Sequence, residues 1–197
     1  MYARPWKIRD PKSGAHAGIG AFNLVRASSY RAMGGHVAIA MRPDDDMKLA
    51  KLVKLRGCRS DFVFGKGMLF VEWYATWREL AAGMEKNMFA GIGYNVAAVV
   101  AASVAQLLLC VWPLAGAFVS SGASRVVNLL VVMAWVFLYR DGARFSGVRR
   151  WLGVGFPLAT LMLLYILWRS MLTTLWNGGI TWRGTRYPLA RLKANRV

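Results

Sequence analysis

Asp44, Asp45 and Asp46 stand side by side in a chain of 197 residues that has only 9 acidic side chains. Neighbouring carboxylates repel and tend to raise one another's pKa values. At a helix start the dipole counters this and keeps a carboxylate ionised. Such a cluster can hold a general base, offer oxygens to a divalent cation, or simply cap a helix in water. A second group of interest is Gly18-Ile19-Gly20-Ala21-Phe22, where positions without a side chain permit close approach. It has neither the GxGxxG nor the GxxxxGK[ST] spacing of a nucleotide loop. His36 follows Gly34-Gly35; a lone histidine is more often structural than reactive. The cysteines Cys58 and Cys110, with His16 and His36, have no zinc-ligand spacing and exclude a disulfide scaffold. Near the C-terminus, Trp182-Arg183-Gly184-Thr185-Arg186-Tyr187 could hold phosphate oxygens through its arginines, or act as a basic-aromatic interfacial anchor.

The elements that must position these residues are short. Gly18–Arg26 reads as a strand opened by glycines, and Ala27–Met33 as a short helix stopped by Gly34-Gly35. Pro43 and the three acids start a helix that runs through Met47, Ala50, Leu52, Val53 and Leu55 to Gly57. Asp61–Phe64 and Met68–Trp73 flank Gly65-Lys66-Gly67 in a hairpin pattern. In Thr76–Phe89, Trp77, Leu80, Ala81, Met84 and Met88 share one helical face, with Arg78, Glu79, Glu85 and Lys86 off it. Just ahead of an apolar span, this fits an interfacial amphipathic helix, although a core-facing helix has the same pattern.

Composition divides the chain near Tyr94. Residues 1–93 hold 15 Lys/Arg and 8 Asp/Glu, whereas residues 94–197 hold 11 Lys/Arg and only Asp141. The chain is 56% hydrophobic yet carries a net charge of +17, a pairing that suggests apolar segments in a bilayer and basic segments at its surface. No charge occurs between Lys86 and Arg125, more than the ~20 residues a spanning helix needs. Candidate spans are 95–119, bent at Pro113, then 126–139, which is short, and 151–176, which contains Arg169. The loop with Arg140, Arg144, Arg149 and Arg150 points to the cytoplasm, which places the polar N-terminal half there too. Three crossings would then put the basic tail outside, against the same rule. A re-entrant or interfacial hairpin in the third segment would remove that conflict. A nucleic-acid binder is disfavoured, because the positive charge is spread around the spans and no recognition module is visible.

Several segments taken in order resemble the second half of a family 2 glycosyltransferase catalytic domain. They are Gly18-x-Gly20-Ala-Phe-Asn-Leu-x-Arg26, Tyr30-x-x-x-Gly34-Gly35-His36, Asp45-Asp46-x-x-Leu49-Ala50 and Lys54-x-x-Gly57. Lys86-Asn87, the apolar spans and Gly178-Gly179-Ile180-x-Trp182-Arg183-Gly184-x-Arg186-Tyr187 extend the match, which is most similar to membrane-anchored bacterial enzymes related to ceramide and hopanoid-associated glycosyltransferases. The resemblance implies an α/β fold: part of a GT-A domain over 1–74, an interfacial helix over 75–93, two to three transmembrane helices over 94–176 and a basic tail over 177–197. It implies inverting transfer from a nucleotide-sugar donor to a lipid or other membrane-associated acceptor. Asp46 would be the catalytic base, with Asp45 beside it. Gly18, Gly20, Ala21, Phe22, His36, Lys86, Arg183 and Arg186 would bind substrate. The family's nucleotide-binding half has no counterpart here, nor does its DxD metal motif. Asp44-x-Asp46 has that spelling but stands at the place of the base. The Gln-x-x-Arg-Trp motif of many relatives is also missing. A divalent cation, Mg or Mn, is therefore expected only in a full-length enzyme, no metal site in this chain, and a separate N-terminal half as a partner. A non-catalytic membrane scaffold is the alternative.

Overall fold

The computed structural model describes residues 4–40, 42, 44–65, 67–182 and 184–194. It is mostly helical and divides into two compact units. One comprises Met1–Val63, Val71–Tyr94 and Leu172–Val197; the other comprises Phe64–Phe70 and Asn95–Met171.

In the first unit, α1 (Ala27–Ala32), α2 (Asp45–Leu55) and α3 (Trp77–Gly91) share one way of stopping. Each runs into a glycine with φ of +65° to +82°, namely Gly34 (+82°), Gly57 (+68°) and Gly93 (+65°). The next residue then donates its N–H back five positions: Gly35 to Tyr30 O, Cys58 to Val53 O, Tyr94 to Phe89 O. This double-bonded glycine cap satisfies carbonyls that the helix end would orphan. At the start of α3, Thr76 Oγ1 accepts from Glu79 N and Glu79 Oε2 accepts from Ala75 N, a reciprocal capping arrangement. A small core joins Met33, Ile39, Leu49 and Val53, with Val25, Tyr30, Leu52 and Cys58 against it. Lys54 is buried; its Nζ donates to Ile8 O and Asp10 O (2.5 and 2.8 Å), fastening the N-terminal segment to the end of α2.

Two expected β elements are not formed. Residues 22–26 are extended but unpaired, with a turn at Gly20-Ala21, and residues 61–73 contain no strand ladder. A strand needs a neighbour to satisfy its backbone groups, and among the described residues neither segment is paired in a ladder. The sheet that is present lies in the tail. β1 (Gly179–Trp182) pairs antiparallel with β2 (Thr185–Pro188), and α8 (Leu189–Ala194) follows. No GT-A sheet occurs among the described residues. Pro43 and Lys66, invoked for a helix start and a turn, lie outside the described residues.

The second unit carries three apolar stretches long enough to cross a membrane: Val96–Val119, Gly122–Ser146 and Arg150–Trp176, of 24, 25 and 27 residues. The second is far longer than the 14 uncharged residues of 126–139. Its helix, α6 (Gly122–Ser146), simply continues through Arg125 at one end and Arg140, Asp141 and Arg144 at the other. The first stretch is α4 (Val96–Gln106), a π-helical turn over Leu107–Val111, and α5 (Trp112–Val119). Pro113 explains the irregularity. It has no N–H to give Leu109 O, so the helix widens, Trp112 N bonds Leu107 O, and the indole Nε1 of Trp135 donates to Leu109 O at 3.0 Å. Across the α5–α6 turn, Arg125 Nε donates to Ala117 O at 2.9 Å, and a Cβ on Gly116 would sit 2.6 Å from the Asn128 amide.

The third stretch opens as a 3-10 helix, Arg150–Gly155, and becomes α7 (Phe156–Trp176). Gly153 lies against Tyr139, where a Cβ would be 2.7 Å from the ring, and Phe156 stacks on Trp135 (4.7 Å between centroids). Trp168 Nε1 then donates to Ser103 Oγ at 2.9 Å. The 3-10 turn thus descends along α6, and α7 runs back beside α4 towards its start.

Candidate functional site

The acidic cluster occupies the first turn of α2, with Asp44 at the N-cap position. Asp44 does not cap the helix through its side chain. Its carboxylate is held in two places by the buried Arg42 guanidinium, Nε to Oδ1 at 2.8 Å and Nη2 to Oδ2 at 2.9 Å. A forked pair of this kind fixes both partners. Asp45 Oδ1 accepts from Asp46 N at 2.9 Å. Asp46 Oδ1 accepts from Met47 N, and Asp46 Oδ2 accepts from Gly20 N, both at 2.7 Å.

The Gly18–Gly20 segment therefore lies directly on the start of α2. A Cβ on Gly18 would be 2.1 Å from Asp46 O, so only glycine fits there. What comes close to these glycines in the structure is the start of α2, which carries Asp46. Ala21 and Phe22 turn away behind it; Phe22 is more than half exposed and its N–H bonds Ile19 O.

Two further side chains join this region without having been singled out by type or spacing. Lys48, one turn along α2, is buried; burial first, and then the charge of Arg42, lower its ammonium pKa below the ordinary value. Tyr94 ends the cap of α3 with φ +58°, is 3% exposed, and packs edge-on to Phe89. Its hydroxyl has no hydrogen-bond partner among the described residues, and burial pushes its pKa up to about 12. Arg42 and Asp44 are close enough to act on it electrostatically, in opposite directions. Arg42, two residues before Asp44 and just ahead of the helix, was not singled out, although an Arg-x-Asp spacing there could have indicated the pair. Nothing in the sequence marks Tyr94 as buried.

The remaining expected residues form two other groups. His36 Nδ1 is hydrogen-bonded to the Tyr30 hydroxyl at 2.5 Å, in the turn after α1. Lys86 of α3 sits over the indole of Trp182, its Nζ 4.7 Å from the ring centroid, a cation–π contact that joins α3 to β1. Arg186 donates to Asn177 O at 2.8 Å, bracing the tail hairpin against the end of α7. Arg183 lies outside the described residues.

The three carboxylates do not converge. Asp44 faces Arg42, while Asp45 and Asp46 accept backbone N–H groups. Among the described residues, no group of three or more His, Cys, Asp and Glu is arranged to hold a metal ion. The donor set does not fit the divalent cation that the resemblance implies for a full-length enzyme. What the site can offer is a carboxylate at a helix start, held by backbone N–H groups beside a glycine-only contact. Comparison with protein families, with curated proteins and with solved structures finds no match to this chain.

Proposed function

We propose that this chain is the acceptor-side and membrane-anchoring part of an inverting, membrane-bound glycosyltransferase that moves a sugar from a nucleotide-sugar to a lipid or membrane-associated acceptor. The observation that carries this reading is the Gly20 N–H on Asp46 Oδ2, which joins two of the motif segments across 26 residues of sequence. In the reaction, the acceptor oxygen attacks the anomeric carbon and gives its proton to Asp46. The bond from that carbon to the diphosphate oxygen breaks, and the nucleoside diphosphate leaves with the electron pair. Each Asp46 oxygen accepts one backbone N–H and keeps a second lone pair that can take the proton. The donor's diphosphate is held by groups outside these 197 residues.

A second reading, a non-catalytic membrane scaffold, draws on the same contacts. Each oxygen of Asp46 accepts a backbone N–H, contacts that a structural clamp would make. Co-expression with a donor-binding half from the same genome, followed by radiolabelled nucleotide-sugars and lipid extraction, separates the two. Transfer into the lipid fraction that falls at least ~100-fold in Asp46→Asn, with the helical circular-dichroism signal retained, is the expected result. Absence of transfer with the donor half supplied, or transfer at an unchanged rate in Asp46→Asn, favours the scaffold.

A further inference from the structure

The segment Phe64–Phe70 is grouped with the spanning helices rather than with the polar residues that flank it in sequence. Met68 and Leu69 both donate N–H to Gly65 O, at 2.9 and 2.8 Å, and Gly67 takes φ +78°, so the segment folds back as a tight turn. This turn puts its largest apolar side chains outward: Met68 is 88% exposed and Phe70 91%. Between Asp61 and Glu72 the sequence holds a single charge, Lys66. Phe64 anchors the base of the turn by stacking on Phe145, with 5.4 Å between centroids. Phe145 is in the last turn of α6, at the end that carries Arg140 and Arg144 and leads to Arg149 and Arg150.

We infer that the Phe64–Phe70 turn is inserted in the lipid leaflet at the Arg140–Arg150 end of the spans, as an extra anchor. Apolar side chains exposed this fully cost free energy in water. Phe64 fixes the turn to the end of α6 that carries Arg140 and Arg144, where a spanning helix would leave the hydrocarbon for the headgroups. The arginines at that end attract anionic headgroups to the same level. Lipid is therefore the occupant that both the exposed apolar side chains and the basic residues at this end of α6 fit. The inference rests on the reading of these helices as membrane-embedded, independently of the sugar-transfer reading.

The test uses the full chain in vesicles of phosphatidylcholine and phosphatidylglycerol, in a Cys58→Ser, Cys110→Ala background. An environment-sensitive fluorophore is placed in turn at Met68→Cys, at Leu130→Cys in α6, and at Gly14→Cys on an exposed polar loop. The Met68 label is expected to emit to the blue of the Gly14 label and to be quenched most by nitroxide carried near the headgroup. The Leu130 label, quenched by nitroxide on the acyl chain, checks the embedding of the helices by itself. A water-like Met68 label beside a quenched Leu130 label overturns the inference, as does a blue-shifted label that no nitroxide lipid quenches, which would mean a protein occupant. In the unaltered chain, a phosphatidylcholine carrying an acyl-chain diazirine should label the peptide containing Met68 and Phe70. Failure to label it while α6 is labelled overturns the inference without any substitution.

Discussion

At Gly18 the backbone passes so close to the start of α2 that a single methyl group would meet Asp46 O at 2.1 Å. Gly18→Ala should push the segment off the helix, break the Gly20–Asp46 bond and lower stability by about 1–3 kcal/mol, read as an earlier melt in detergent. Gly20→Ala should cost less, since its Cβ would meet nothing nearer than Asp46 Oδ2 at 3.4 Å. The acids were readable because only 9 acidic residues occur in 197 and three of them are adjacent, and the glycines because they stand two apart. That they touch was not readable, because a contact between residues 26 apart depends on how the intervening turns fold. Tyr94 was invisible for the same reason. Its phenol stays protonated when folded up to about 12, against 10.0 ordinarily. Between those values only the unfolded chain loses the proton, so stability should fall as pH rises from 10 towards 12, by about 2–3 kcal/mol. Tyr94→Phe should flatten that limb in a pH series of melts. At neutral pH it should cost nothing, because the hydroxyl has no partner to lose among the described residues.

At the scale of elements, helices were legible and strands were not. Helix starts and stops are local: the acids at the start of α2, and the glycines at +82°, +68° and +65° that end α1, α2 and α3, act on their own neighbours. The alternation at 18–26 and 61–73 looked like strands, but pairing is a property of two segments and each lacked a second. The tail hairpin went unread, although alternation at Ile180 and Trp182 with a two-residue Arg183-Gly184 turn is a hairpin signal. Pro113 was expected to bend its helix; what the structure shows is a π-helical turn just ahead of it, with an indole from α6 donating to the carbonyl it leaves free. Trp135→Phe should leave Leu109 O without that donor and destabilise the embedded helices by about 1 kcal/mol. Pro113→Ala restores a backbone N–H for the same carbonyl. The cost of Trp135→Phe should therefore shrink in that background, which a double-mutant cycle of unfolding in mixed micelles would measure.

At the scale of the whole molecule, the unresolved point in the sequence was which side the tail occupies. Length alone gives three crossings. The contacts favour an even number. Within one unit, Lys86 of α3 meets Trp182 of the tail. Within the other, α7 runs back along α4, with Trp168 at Ser103. A descending 3-10 turn followed by an ascending helix is a hairpin that leaves and returns on one side. Accessibility of single cysteines to a membrane-impermeant thiol reagent should then give the same sidedness for Gly14→Cys and Lys193→Cys, and the opposite for Ser121→Cys. Opposite sidedness for Gly14 and Lys193 would mean three crossings. The even count also satisfies the basic-loop rule, since Arg140, Arg144, Arg149, Arg150 and the tail then share a face, with Arg125 alone opposite.

That returning third segment bears on how the protein is made. With α4–α5 and α6 as the two crossings, the only polar stretch carried through the bilayer is the turn from Ser120 to Ser124, with Arg125 beside it. On that count of crossings, neither the polar residues ahead of α4 nor the basic tail would have to be translocated. The hairpin of Arg150–Trp176 can enter from the face on which it was synthesised, once α4 and α6 are there to receive it. Its Ser103 and Tyr139 contacts would therefore form last, and variants at Gly153 should impair assembly of the finished protein more than insertion of its first two helices.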